Sequence, residues 1–243
     1  MLVKFDILTL FPEMIEGIIS SSILKRAIEK QLIEINIINF RDYSTNKHFT
    51  VDDYAYGGGA GMLISVEPIH LAMKEIAGYQ TAHKILTSPS GIVLNQKKVE
   101  ELNKYNHFII ICGHYEGIDA RILDYVDEEI SIGDYILTGG EIPACAIVDA
   151  ISRLIPGVIS NESTVGESFS MGLLEYPQYT RPAIYNNKKV PDILLSGHHA
   201  NIEKWKRYEA LKKTYKQRPD LLSKVNLSSD DLKMLEDIKN EKD

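Results

Sequence analysis

Two glycine-punctuated segments have the residue types and spacing to do chemistry: Cys112-Gly-His-Tyr-Glu-Gly117 and Ser131-Ile-Gly-Asp-Tyr-Ile-Leu-Thr-Gly-Gly140. Glycine has no Cβ, so it lets backbone N–H and C=O groups approach a bound molecule and accepts positive φ. The first segment directly follows the apolar run FIIIC, and the second follows a shorter strand-like stretch. Ligands of parallel α/β sheets collect beyond the carboxyl ends of the strands. Two such loops on neighbouring strands would clamp a nucleoside, although each taken singly also reads as a tight turn. Other nucleotide and metal signatures are missing. No GxxxxGK[ST] occurs, and GGGAGM at 57–62 follows a loop and does not complete GxGxxG. HExxH and Cys/His clusters are also missing, and the pair His198–His199 alone does not make a metal site.

The elements that must position these loops alternate in type. Val3 to Leu10 predicts a strand, Ser20 to Gln31 a helix, and the isoleucine-rich Leu32 to Phe40 a strand. A loop from Arg41 to Met62 precedes a helix near Val66 to Ala77, a strand Lys84 to Thr87 and a helix Asn95 to Lys104. Phe108 to Cys112, apolar throughout, suits a central strand buried on both faces. A helical Asp119 to Tyr125, a strand Glu129 to Ile132 and a helix Ile142 to Ile155 complete a parallel α/β sheet covered by helices. The character changes near Gly157, where a Ser- and Gly-rich linker begins. Beyond it prolines at 177, 182, 191 and 219 break the chain, no strand is convincing, and helices are expected at Asn201 to Gln217 and Ser228 to Lys239. Ser228 and Asp231 stand at capping-box spacing before the last helix. The expected division is an α/β domain over 1–159, a linker over 160–172 and a small all-helical domain over 173–243.

With 44% hydrophobic and 25% charged residues among 243, the chain has ordinary globular composition and enough length for a sizeable core. Two cysteines without CxxC spacing fit a reduced, cytoplasmic protein. The opening MLVKFDILTLF lacks a basic n-region, and the run Phe108 to Cys112 is far too short to span a bilayer. The net charge of −7 hides a division: residues 1–160 carry −8, whereas 181–224 hold 11 basic and 4 acidic residues. A basic island interleaved with Tyr185, Trp205, Tyr208 and Tyr215 is the pattern of phosphate neutralisation with base stacking, although a charged helix face is also commonly just solvated.

CGHYEG, SIGDYILTGGE, DAISRLIPGV, ESFSMGLLEYPQYTRP and LLSGHHANIEKW occur in that order, with LTLFPEM, NFRDYSTNKH and VDDYAYGGGAGM before them. Together they closely resemble the bacterial tRNA (guanine-N1)-methyltransferases, the TrmD-type members of the SPOUT superfamily, from about residue 3 to about 222. The resemblance implies a SPOUT-type α/β fold whose C-terminal part threads a deep trefoil knot, a topology that periodicity cannot reveal. It implies S-adenosylmethionine as cofactor, magnesium supporting activity, and a homodimer with composite active sites. It also implies tRNA as substrate, methylated on N1 of the guanine at position 37, next to the anticodon, with a guanine preferred before it.

Carried over position by position, the cofactor contacts fall on Gly113, Ile132, Gly133, Asp134, Tyr135, Ile136 and Leu137. Ser88, Pro89, Tyr115, Glu116, Gly117, Gly139, Gly140 and Pro143 complete the implied pocket wall. The catalytic arginine falls on Arg153. The candidate RNA contacts, Arg181, Lys204, Arg207, Lys212 and Lys213, come instead from the basic island itself. The family's catalytic base is an aspartate in an Asp-Ser-Phe triplet; here the triplet is Glu167-Ser168-Phe169, which keeps the carboxylate and lengthens the arm. Without the resemblance, Arg153 equally suits a helix-dipole contact and Glu167 an ordinary loop acid. Glu162, five residues upstream, is the rival base.

Overall fold

A computed structural model describes residues 2–160 and 166–241, which pack as two compact units, Met1–Ser160 and Asn161–Asp243. The first unit is built on a five-stranded sheet of β1 (Val3–Thr9), β2 (Ile33–Asn39), β5 (His83–Val93), β6 (His107–Cys112) and β7 (Glu128–Ser131). The spatial order is β2-β1-β6-β5-β7 and every pairing is parallel. The parallel α/β expectation holds, and FIIIC is the middle strand.

Alternation along the strands creates two cores, because successive side chains leave opposite faces of a sheet. Phe108, Ile110 and Cys112 join Phe5, Ile7 and Ile85 on one face. That face is covered by α1 (Pro12–Ile19), α2 (Ser22–Glu29), α4 (Gln96–Leu102) and α5 (Glu141–Ser152). Ile109 and Ile111 join Leu8 and Leu86 on the other, under α3 (Val66–Glu75) and the 3-10 turn Ala120–Tyr125. Burial on both faces is why β6 has no polar position from Phe108 to Cys112.

The structure departs from the sequence-based expectations in three places within this unit. Helix α1 fills the stretch between the expected strand Val3 to Leu10 and the expected helix Ser20 to Gln31, for which the sequence pattern names no element. The expected loop 41–62 holds β3 (Asp52–Tyr54), which pairs antiparallel with β4 (Met62–Ile64) at the loop's end. Strand β5 runs on past Pro89: the register with β7 breaks between Thr87 and Ile92, and this bulge absorbs the Ser-Pro-Ser-Gly run. Gly91 is required there, since a Cβ would lie 2.4 Å from the Glu129 carbonyl carbon.

In the second unit α6 (Asp192–Leu195), α7 (His199–Gln217), α8 (Pro219–Leu222) and α9 (Ser229–Asn240) follow a two-residue ladder of β8 (Ile184–Tyr185) with β9 (Lys188–Lys189). That ladder corrects the all-helical expectation: Asn186 and Asn187, both at positive φ, make a tight turn that the proline-rich context concealed. The capping box at α9 is present, with Ser228 and Asp231 exchanging side-chain to backbone hydrogen bonds. Leu173, Ala210, Leu211, Leu235 and Ile238 form this unit's own core. Among the described residues no helix is long and apolar enough to cross a membrane.

Candidate functional site

A cavity of about 490 Å³ opens at the carboxyl ends of β6 and β7 and beside the bulge of β5, well inside the range that small-molecule ligands occupy. Its wall includes Ser88 and Pro89 from the β5 bulge and Gly113, Tyr115, Glu116 and Gly117 after β6. Ile132, Gly133, Tyr135, Ile136, Leu137, Gly139 and Gly140 after β7, with Pro143 of α5, complete the part anticipated from sequence. Of the cofactor contacts expected there, Asp134 alone is outside the lining; it is exposed on the same loop. His114, Ile118, Leu123 and Thr138 line the cavity without having been singled out. Their signal was position alone, since each lies within or just beyond a glycine segment.

The loops are held by close backbone approach. The Gly140 N–H donates to the Gly113 carbonyl at 2.8 Å. A Cβ on Gly140 would sit 2.1 Å from Thr87 Oγ1 and 2.8 Å from Cys112 Cα, so β5 just before its bulge, the end of β6 and the start of α5 meet at a point only glycine can fill. Gly133, at φ +151, is covered by the Tyr135 ring, while Ser131 Oγ accepts its N–H at 3.1 Å. The first loop is tied to β4: the Glu116 N–H donates to the Met62 carbonyl, and the Gly117 carbonyl accepts from the Ile64 N–H at 2.9 Å. Below the loops, Glu141 is 1% exposed and its Oε1 accepts a 2.7 Å hydrogen bond from Thr9 Oγ1.

The cysteines beside the cavity are unreactive by environment. Burial, with the Glu141 charge adding to it, pushes the Cys112 thiol well up and the Cys145 thiol to about 11. Neither supplies a thiolate near neutral pH. Among the described residues no group of three or more His, Cys, Asp or Glu side chains is placed to hold a metal ion. Among the described residues there is accordingly no cluster of carboxylate or histidine ligands dedicated to magnesium.

Arg153 closes α5, half-buried, its N–H donating to the Asp149 carbonyl; it does not line the cavity. In the second unit Glu167 is half-buried, and its carbonyl accepts from both the Ser170 N–H and Oγ, the latter at 2.8 Å. Ser168 Oγ accepts from the Glu175 N–H at 3.0 Å, and Phe169 stands at φ +74, so the triplet's backbone is a fixed turn. Glu162 lies outside the described residues.

The basic island divides into two kinds of cation. Arg181 and Lys204 are exposed, and Lys213 is half-buried. Arg207 forms a two-point pair with Asp231 at 2.7 and 2.9 Å, and Lys212 pairs with Glu241. The Arg207 guanidinium holds the Asp231 carboxyl at about 2. Trp205 is half-buried against Tyr176 and Tyr179, both with ring centroids 6.4 Å away, whereas Tyr185 stands 68% exposed.

The chain is similar to known proteins over nearly its whole length. The family model described as tRNA (Guanine-1)-methyltransferase TrmD matches residues 3–224. Proteins named tRNA (guanine-N(1)-)-methyltransferase are similar over nearly their whole length. That of Dictyoglomus turgidum is 54% identical, covering 99% of this chain and 98% of its own. That of Staphylococcus haemolyticus is 53% identical with 97% of each chain covered, and that of Brevibacillus brevis 52% with 98% and 99%. With glycine loops gathered at the strand ends and a match spanning both packed units, the chain belongs to the TrmD family of tRNA (guanine-1)-methyltransferases.

Proposed function

We propose that this protein transfers the methyl group of S-adenosylmethionine to N1 of the guanine at tRNA position 37. The observation that carries the reading is the cavity. Its volume suits a nucleoside-sized ligand, its rim is glycine backbone that can hydrogen-bond an adenine edge and a ribose, and its walls include Leu137, Ile136 and Pro143 for apolar contact. S-adenosylmethionine, when bound, supplies an electrophilic methyl on a sulfonium; everything else falls to the chain's own residues. The knotted threading expected for SPOUT proteins belongs to this proposal, as does the assignment of 1–159 to cofactor binding and 173–243 to tRNA.

Guanine N1 carries a proton, so its lone pair is unavailable until that proton leaves. Glu167 accepts it. As N1–H is lost, negative charge spreads toward O6, and the Arg153 guanidinium stabilises that charge. In the homodimer we infer, each cavity is served by Glu167 of the partner subunit, which makes each site the product of one two-fold contact. Magnesium has no placed role in these steps. Arg181, Lys204 and Lys213 take the phosphate contacts, while Arg207 and Lys212 reach RNA only by leaving Asp231 and Glu241.

The reading is tested by calorimetric titration with S-adenosylmethionine. Gly133→Val forces a side chain into φ +151 and displaces Tyr135, so binding is expected to vanish while the circular dichroism of the folded chain is kept. Unchanged affinity in that variant refutes the cavity assignment.

A further inference from the structure

Beneath the cavity lies an acid that none of these roles uses. Glu141 is 1% exposed, and while its Oε1 is bonded to Thr9, its Oε2 has no hydrogen-bond partner among the described residues. Buried polar atoms are nearly always paired, and a bare carboxylate oxygen is among the costliest exceptions. Glu141 stands in the first turn of α5, where the helix dipole favours a negative charge. A dipole, however, does not supply a directed donor to Oε2.

The surroundings narrow down where that donor comes from. A Cβ on Gly139 would lie 2.4 Å from Glu141 Oε2, 2.5 Å from His114 Cδ2 and 2.8 Å from His114 Nε2. Acid and imidazole therefore press on the same glycine, and that glycine pairs with His114 through an antiparallel bridge. His114 lines the cavity and Glu141 does not. The His114 ring packs on Phe11 at 4.6 Å, and the Phe11 N–H donates to Thr9 Oγ1 at 2.9 Å. Thr9 Oγ1 in turn donates to Glu141, so the contacts close a circuit under the Gly139–Gly140 turn. The other titratable groups against Glu141, Cys112 and Cys145, have thiols pushed up by burial and stay neutral. His114 is the one cavity-facing donor in this circuit.

We propose that Glu141 and His114 are positioning residues of the cofactor cavity: when the cavity fills, a small rotation of the His114 ring brings an N–H onto Glu141 Oε2 and locks the Gly139–Gly140 turn against the bound molecule. This inference rests on the cofactor reading above. The unmet oxygen is a cost carried by the empty protein and relieved on binding, so the pair contributes to affinity and not to the stability of the unliganded chain.

Calorimetric titration with S-adenosylhomocysteine, together with thermal melting of the unliganded chain, tests it. Glu141→Gln keeps the acceptor for Thr9 and removes the one for His114. Affinity is expected to fall about tenfold in Glu141→Gln and in His114→Ala, the order of one lost charge-assisted hydrogen bond. The double variant falls no further than the weaker single, because the two act through one contact, and His114→Arg recovers most of what His114→Ala loses. The melting temperature of unliganded Glu141→Gln stays level or rises. Wild-type affinity in Glu141→Gln, additive losses in the double variant, or an affinity loss matched by a fall in melting temperature each overturns the proposal. Failure of the unsubstituted chain to bind at all is a different result: it refutes the cofactor reading itself, and this inference falls with it.

Discussion

A glutamate at position 167 carries its carboxylate one carbon–carbon bond, about 1.5 Å, further from the backbone than an aspartate would. The turn around it is fixed by Ser168 and Ser170 hydrogen bonds and by Phe169 at positive φ, so the added length and the added rotatable bond both lie in the side chain. If Glu167 is the general base, Glu167→Gln removes proton acceptance at constant size. Single-turnover assays should then show a rate loss on the order of a hundred- to ten-thousandfold with cofactor affinity little changed. Glu167→Asp should keep much of the rate, because the carboxylate that accepts the proton is retained. Glu162→Gln is the control: if that variant is dead while Glu167→Gln turns over normally, the base is Glu162.

Two helices of the second unit are tied by an ion pair as well as by their shared apolar core. Asp231 caps α9 and binds Arg207 of α7, so it joins the two helices that form the core. Its folded-state carboxyl is held down at about 2 by the Arg207 hydrogen bonds, against about 3.9 when unfolded. A depressed carboxyl contributes stability that is complete above the unfolded value and is lost as pH falls through the folded one. Acid titration of unfolding should therefore show a loss on the order of 2 kcal/mol between about pH 4 and pH 2, and Asp231→Asn should flatten that part of the curve. The capping box behind this prediction was legible in the sequence because Ser228 and Asp231 are local. So were the strand-end glycine loops, since punctuation after an apolar run is a local signal. Helix α1 was harder to read: Met14 with Ile18 and Ile15 with Ile19 stand at helical spacing, but eight residues are too few for that period to stand out from a connection. The β3–β4 ladder was hidden by three-residue strands set among glycines. The circuit of Thr9, Glu141 and His114 joins positions more than a hundred residues apart, and only packing brings them together.

Charge is distributed unevenly over the molecule, with −8 on residues 1–160 and a basic stretch at 181–224. Binding of tRNA should weaken steeply with salt, and Arg181→Glu with Lys204→Glu should lower both the affinity and the slope of log K against log salt, by about 1 to 2. A salt-independent affinity contradicts the RNA role of this stretch. If each cavity is served by Glu167 of the partner subunit, Glu167→Gln chains and Gly133→Val chains are inactive alone but complement one another. Random mixing then restores roughly a quarter of wild-type turnover, through the one good site in each mixed dimer; no recovery means the sites are not shared.

The most direct measurement is methyl transfer from radiolabelled S-adenosylmethionine to unmodified tRNA transcripts, followed by digestion to nucleosides. The expected result is label in 1-methylguanosine from a transcript with guanine at position 37. A transcript with adenine there should yield none, and the label should be lost with Gly133→Val or Glu167→Gln. Label in a ribose 2′-O-methyl nucleoside or in another base, or no transfer by a wild-type chain that binds the cofactor, would contradict the account.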